Sequence, residues 1–246
     1  MLSKSDVKYI QSLAYKKYRD VAGVFVMEGV KMIEELINAF PERIKRIYAT
    51  QTWVEQHPNI VKSLTELTLV EPFELDKISF LSTPNEVLAL VSMNPGRNKS
   101  EFNNGITVIL DQIQDPGNLG TIIRTCDWFG VSNIVCSLDT VDAFSPKVVQ
   151  SSMGSILRLD IFYKDLSTFL LENTGVPIYA AELGGKSIHE ISYSKPAFLI
   201  IGNESKGISK EISNLSSHKL MIPRLGRAES LNAAVATAII LSCMTK

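Results

Sequence analysis

Short runs of β-branched and aliphatic residues alternate with stretches of helical spacing along nearly the whole chain of 246 residues. This alternation limits the possible folds more than any other feature, because it calls for α/β packing and, in the second part of the chain, for crossovers that build a mainly parallel sheet covered on both faces. In the first part it predicts helix 6–17, strand 23–28, helix 29–39, strand 44–49, a helix near Trp53, a short strand 67–70, helix 73–80 and strand 87–92. In the second it predicts strand 106–111 and helix 118–129, then alternation through 133–136, 147–153, 157–162, 166–172 and 178–182, with strands 197–201 and 219–222 before a last helix over 231–244. The polar, turn-rich stretch 94–105 lacks this periodicity and reads as a linker. The expected organisation is therefore α/β throughout: a smaller domain over 1–93, the linker, and a larger domain over 106–246.

At 45% hydrophobic and 21% charged residues the composition is that of a globular protein. With 25 Lys and Arg against 26 Asp and Glu, the chain cannot coat nucleic acid by bulk charge, although a local basic patch remains open to it. One such patch is Lys4, Lys8, Lys16, Lys17 and Arg19, interleaved with Tyr9, Tyr15 and Tyr18 and opposed only by Asp6. Aromatic rings beside cations suit unpaired bases and phosphates; the same residues would equally form a solvated helix whose tyrosines pack on the core. No apolar run approaches the ~20 residues of a membrane-spanning helix, and the N-terminus has no secretory core. Cys126, Cys136 and Cys243 are odd in number and lack metal-ligand spacing, which fits reduced thiols and cytoplasmic residence.

In parallel sheets ligands gather at the carboxyl ends of strands, so three loops deserve closest reading. The first, Asp111-Gln-Ile-Gln-Asp-Pro-Gly-Asn-Leu-Gly-Thr-Ile-Ile-Arg124, leaves a buried strand and enters a helix that Asn118 could cap. Arg124, two turns up, either reaches back to the strand ends or serves as a surface residue. In the second, Ile200-Ile-Gly202-Asn203-Glu204-Ser-Lys-Gly207-Ile208, the glycine spacing approaches a phosphate loop, but Ile208 stands where its lysine is required. Glycine would let a small polar ligand approach the backbone closely, or would simply make a tight turn. The third, running from Met221 through Ile222, Arg224 and Ser230 to Leu231 and Asn232, leads into a small-residue, almost wholly apolar helix with Ser230 as its expected cap. Asn232 in such a helix requires a ligand or a backbone partner. Signatures of dinucleotide folds, metalloproteases, redox dithiols and serine hydrolases are missing, and His57, His189 and His218 have no ligand spacing.

Taken together and in order, DPGNLGTIIRT, IIGNESKGIS and MIPRLGRAESLNAAVATAI resemble the three signature motifs of the SpoU (TrmH) branch of the SPOUT RNA methyltransferases. The resemblance spans about 105–244; KYIQSL, FVMEG and TPNEVLALV more loosely resemble the ribosomal-protein-like substrate-binding domain that often precedes it. It implies a deep trefoil knot, an exception to the avoidance of threaded chains, and methyl transfer from S-adenosylmethionine to a ribose 2′-hydroxyl of RNA, ribosomal rather than transfer. Leu199, Gly202, Asn203, Ile222, Ser230 and Leu231 would hold the cofactor, and a homodimer would complete the site. The family assigns Arg124 the activation of the hydroxyl; because arginine stays protonated, orienting the hydroxyl and stabilising the developing alkoxide is the preferred role. Asn118, Glu204 and Asn232 would surround it, Glu204 orienting Arg124. No metal is implied, since a sulfonium is already an activated leaving group. Arg224 stands where relatives often carry an apolar residue, and Cys126 and Trp128 where smaller ones are usual. The competing readings are a non-catalytic RNA-binding or ribosome-assembly protein and an α/β enzyme using another nucleotide.

Overall fold

A computed structural model describes residues 1–62, 64, 66–93, 102 and 104–245, so most of the expected linker lies outside the described residues. In chain order the helices and strands are α1 (Lys4–Ser12), α2 (Lys16–Ala22), β1 (Val24–Glu28), α3 (Val30–Ala39), β2 (Ile44–Ala49), α4 (Gln51–Gln56), α5 (Pro58–Val61), β3 (Leu67–Leu69), α6 (Pro72–Ile78) and β4 (Val87–Ser92). They continue as β5 (Ile106–Asp111), α7 (Pro116–Trp128), β6 (Asn133–Ser137), α8 (Pro146–Ser152), β7 (Asp160–Lys164), α9 (Leu166–Glu172), β8 (Ile178–Ser187), β9 (Ala197–Gly202), α10 (Lys210–Asn214), β10 (His218–Met221) and α11 (Ala233–Met244).

The chain forms two compact units, Met1–Arg97 with Phe144–Leu157, and Asn98–Ala143 with Arg158–Lys246. A single cut at the linker therefore does not separate them: the segment that carries α8 belongs with the first unit. Arg43, only 4% exposed, ties it there by donating to the carbonyls of Ser92 and Leu157 at 2.8 and 3.2 Å. Phe144 packs its ring against Phe25 of β1, the centroids 5.1 Å apart.

In the first unit the four strands lie in the order β1-β4-β2-β3, with β4 antiparallel to both of its neighbours. Ile10, Leu13, Tyr48, Leu75, Ile78 and Leu88 contribute to its core. The expected helix 6–17 is two helices. The capping box of Ser3 and Asp6 starts α1, and the carbonyl of Leu13, freed where the helix breaks, accepts Arg19 Nη1 at 2.5 Å. A long-range bond of this kind leaves no trace in periodicity. Tyr9, Tyr15 and Tyr18 stay 44%, 66% and 43% exposed, which removes the reading that packs them on the core. Lys17 Nζ lies over the Tyr18 ring.

In the second unit the expectation of a parallel sheet holds: six strands run parallel in the order β10-β8-β9-β5-β6-β7. The central strands β5, β9 and β6 are buried along almost their whole length and mostly apolar, as burial on both faces demands. Strand 157–162 shifts to Asp160–Lys164, because Ser155–Leu157 turn as a 3₁₀ segment, and α10 was not foreseen. The pairing of β10 with β8 jumps from Ala180 to Lys186 as β10 advances one residue, from Lys219 to Leu220. Residues 181–185 are thereby looped out of the ladder. Gly185 permits this crossing, since a Cβ there would stand 2.6 Å from the Lys219–Leu220 backbone.

Candidate active site

All six strands of the second unit end on one side of their sheet. There the looped-out residues 181–183, the 201–208 turn and most of 220–231 enclose a cavity of about 600 Å³, with Ala233, Ala236 and Ile240 of α11 contributing to its wall. The turn after β9 closes on itself. Asn203 and Gly207 exchange backbone hydrogen bonds at 2.9 and 3.0 Å, and the Asn203 side-chain oxygen accepts the N–H groups of Ser205 and Lys206. Gly202 must be glycine for this closure, because a Cβ would lie 2.3 Å from the backbone of Gly207 and Ile208.

The turn is anchored to the first loop at two points. Buried Asp111, ending β5, accepts the Ser209 N–H at 2.7 Å and so fixes the start of α10. Asn203 donates its amide to the Gln112 carbonyl at 2.8 Å, and the Gln112 N–H donates to Ser137 Oγ at 2.9 Å. Gln112 adopts φ 61°, a left-handed conformation that costs a non-glycine residue about 1 kcal/mol or more. These two hydrogen bonds hold it there.

A chain of side-chain amides joins the three motifs. Asn118 Nδ2 donates to Glu204 Oε1 at 2.8 Å, and Asn232 Nδ2 donates to Asn118 Oδ1 at 2.8 Å. The other oxygen of the chain, Asn232 Oδ1, accepts the N–H groups of Ala234 and Val235 and caps α11. Two expected caps are corrected by this geometry. Asp115, not Asn118, caps α7 by accepting the Asn118 N–H, which frees the Asn118 side chain for Glu204. Asn232, not Ser230, caps α11, so the helix begins at Ala233 and the asparagine needs no core partner.

Gly202, Asn203, Glu204, Ile222, Ser230 and Leu231 all line the cavity. Leu199 does not: it is fully buried inside β9, three residues short of the strand end. Arg124 stands on the exposed side of α7 and makes no hydrogen bond or ion pair among the described residues; Glu204 faces Asn118 instead of orienting it. Sequence reasoning missed the wall of Ala181, Glu182 and Leu183, for which the glycine pair Gly184-Gly185 after a strand was the available signal. Glu182 pairs with Lys219 at 2.9 Å. Among the described residues no group of three or more His, Cys, Asp or Glu could hold a metal ion, and no helix is long and apolar enough to cross a membrane. Cys126 and Cys136 are buried free thiols, and burial pushes both well above the usual thiol range.

Residues 105–242 match the SpoU rRNA Methylase family and residues 4–89 the MRM3-like substrate binding domain. The 23S rRNA (guanosine(2553)-2′-O)-methyltransferase RlmP of Bacillus subtilis is 30% identical over 238 residues, 96% of this chain and 94% of that one. Among solved structures, a putative RNA methyltransferase of the TrmH family from Porphyromonas gingivalis superposes with a TM-score of 0.87 at 34% identity, covering 99% of this chain and 98% of the other. The AdoMet-bound rRNA methyltransferase from Sinorhizobium meliloti gives 0.84 at 32% identity over 99% and 96%. With its three motifs linked through Asn118, Glu204 and Asn232 and a family match across more than half its length, the chain belongs to the SpoU rRNA methylase family.

Proposed function

We propose that the chain methylates a ribose 2′-hydroxyl of ribosomal RNA, using S-adenosylmethionine. The observation that carries this reading is the cavity that the second and third motifs enclose, tied to the first motif by the amides of Asn118 and Asn232. Its lining fits the cofactor. Leu220, Ile222, Leu231 and Ile240 offer apolar surface for an adenine ring, the 202–208 and 221–230 backbone offers hydrogen bonds, and the Glu204 carboxylate suits a cationic sulfonium or ammonium group. When bound, S-adenosylmethionine supplies a methyl group activated by its positive sulfur.

The protein's part is then to position and polarise. A ribose hydroxyl is a weak nucleophile near neutral pH, and its attack requires in-line placement and stabilisation of the charge that develops on oxygen. Arg124, exposed and without a partner among the described residues, would use its guanidinium to hold the hydroxyl or a neighbouring phosphate. Asn118, Glu204 and Asn232 keep the loops that bear cofactor and substrate in register. Leu199 acts from behind, packing β9 beneath the cavity, and Gly202, Asn203, Ile222, Ser230 and Leu231 would hold the cofactor.

The first unit would bind the RNA, with the exposed tyrosines and Lys17 as stacking and phosphate contacts, and 106–246 would carry the transfer. The looped-out 181–185 beside β10, followed by the return of the chain to pack α11 against α7, supports a trefoil knot. Exposed Leu225, Leu231 and Val235 beside the cavity and on α11 support a homodimer, which sedimentation at low and high protein concentration tests. Free thiols support residence in the reducing cytoplasm.

The decisive experiment measures methyl transfer from labelled S-adenosylmethionine to total RNA from cells lacking the protein and from normal cells. Incorporation is expected only into the deficient RNA. The Arg124→Ala variant should lose it by 100-fold or more, in the ~10²–10³ range of a lost oxyanion donor, while keeping its melting temperature and cofactor affinity. No cofactor binding by the wild-type chain would overturn the reading.

A further inference from the structure

The first unit holds a second cavity, of about 320 Å³, that methyl transfer does not use. Phe80 and Leu81 give it apolar surface, and Lys147 and Gln150 of α8 and Glu28, the last residue of β1, also line it. Glu28 is 6% exposed. One of its oxygens accepts the Phe80 N–H at 2.8 Å and the other accepts the Ser79 hydroxyl. A carboxylate has about four acceptor sites, so two remain unfilled, and no cation pairs with Glu28 among the described residues. Burial raises its pKa above the ordinary glutamate value, while the hydrogen bonds from Ser79 and Phe80 act against that rise.

A ligand donating two adjacent N–H groups would supply those partners. Of the four RNA bases only guanine carries two on one edge, N1–H and the N2 amine, and its O6 beside them accepts the kind of hydrogen bond that an ammonium or amide donates. Unpaired bases in RNA are recognised in this manner, splayed out, stacked on apolar side chains and bonded along the Watson–Crick edge. The volume stands at the lower end for ligand pockets, enough for one base.

We infer that this cavity is a subsite for one unpaired guanine of the RNA substrate, read through Glu28. The inference rests on the reading that RNA is the substrate. It is tested by titrating the full chain with short fluorescein-labelled single-stranded RNAs that differ in one central base: guanine, inosine, which lacks the N2 amine, or adenine. Guanine should bind about tenfold more tightly than adenine, as expected for one bidentate pair, with inosine between. Glu28→Gln keeps an oxygen for the Phe80 N–H and an amide for Ser79, so it should fold as the wild type while bringing the three RNAs to within twofold of each other. Gln150→Ala, also in the lining, should reduce the preference without altering the melting temperature. Equal affinity of the wild type for all three RNAs, or a preference that survives in both variants, overturns the subsite. Calorimetry with S-adenosylmethionine on the same proteins keeps the two readings apart. Cofactor binding and methyl transfer without base preference remove the subsite alone, whereas a chain that binds no cofactor removes the methyltransferase assignment.

Discussion

The two cavities are built by different means. The larger is made by backbone: three loops leave neighbouring parallel strands, fold against each other and are held by asparagine amides and a missing Cβ at Gly202. The smaller is lined by side chains from the end of β1, one face of α8 and the irregular segment Phe80–Ser82, which are far apart in sequence and ordinary in type. A site made of backbone demands particular residues at particular spacings and so writes itself into the sequence as a motif. A site made of side chains gathered from distant segments can be assembled from residues that look like any core or surface.

This contrast can be broken first at Gly202. In Gly202→Val the added side chain meets the backbone of Gly207 and Ile208, which cannot yield as a flexible side chain would. The expected loss is about 3 kcal/mol in denaturant unfolding, at the upper end for overpacking, with cofactor binding gone from calorimetry. A loss below 1 kcal/mol would mean that the turn relaxes and that the backbone argument is wrong. In the first unit the comparable point is a side chain. Arg43→Lys keeps the charge but cannot serve the Ser92 and Leu157 carbonyls together, and should cost about 2 kcal/mol by leaving a buried acceptor unpaired.

Smaller still is the effect of Asn118→Ala. It removes the partner of Glu204 and of Asn232 at once, but in a partly solvated setting, so stability should fall by about 1 kcal/mol. Cofactor affinity should fall more than stability does, and equal effects on both would reduce the amide chain to a structural tie. The smallest effect belongs to Glu28. Its pKa is raised in the folded chain, so the folded state holds the proton over a pH range in which the unfolded state has released it. Stability therefore declines as pH rises from the ordinary glutamate value of 4.5 through the raised one, and is level above it. Glu28→Gln should flatten that slope in thermal melts across this window.

How much was legible follows the same division. The parallel sheet, the three loops and most of the site residues could be read because buried strands are mostly apolar runs and tight turns need glycine and asparagine. What escaped depends on contacts between distant residues. The break between α1 and α2 is fixed by Arg19 reaching Leu13, Asp115 caps α7 and leaves the Asn118 side chain to the distant Glu204, and Leu199 faces the core although it lies only three residues from a site glycine. Phe144–Leu157 belongs with the first unit although it lies in the sequence among the strands of the second, and nothing local in the segment marks that.

That segment also sets a schedule. N-terminal domains generally fold first as a chain leaves the ribosome, at about 5–20 residues per second, but here the first unit lacks its closing piece until residues 144–157 have been made. Synthesis of 98–143 alone takes roughly 2–9 s at that pace, and for that interval Phe25 has no Phe144 to pack against and the Arg43 guanidinium has no Leu157 carbonyl. The nascent first half must wait, with part of β1 uncovered, for the second half to deliver its cover.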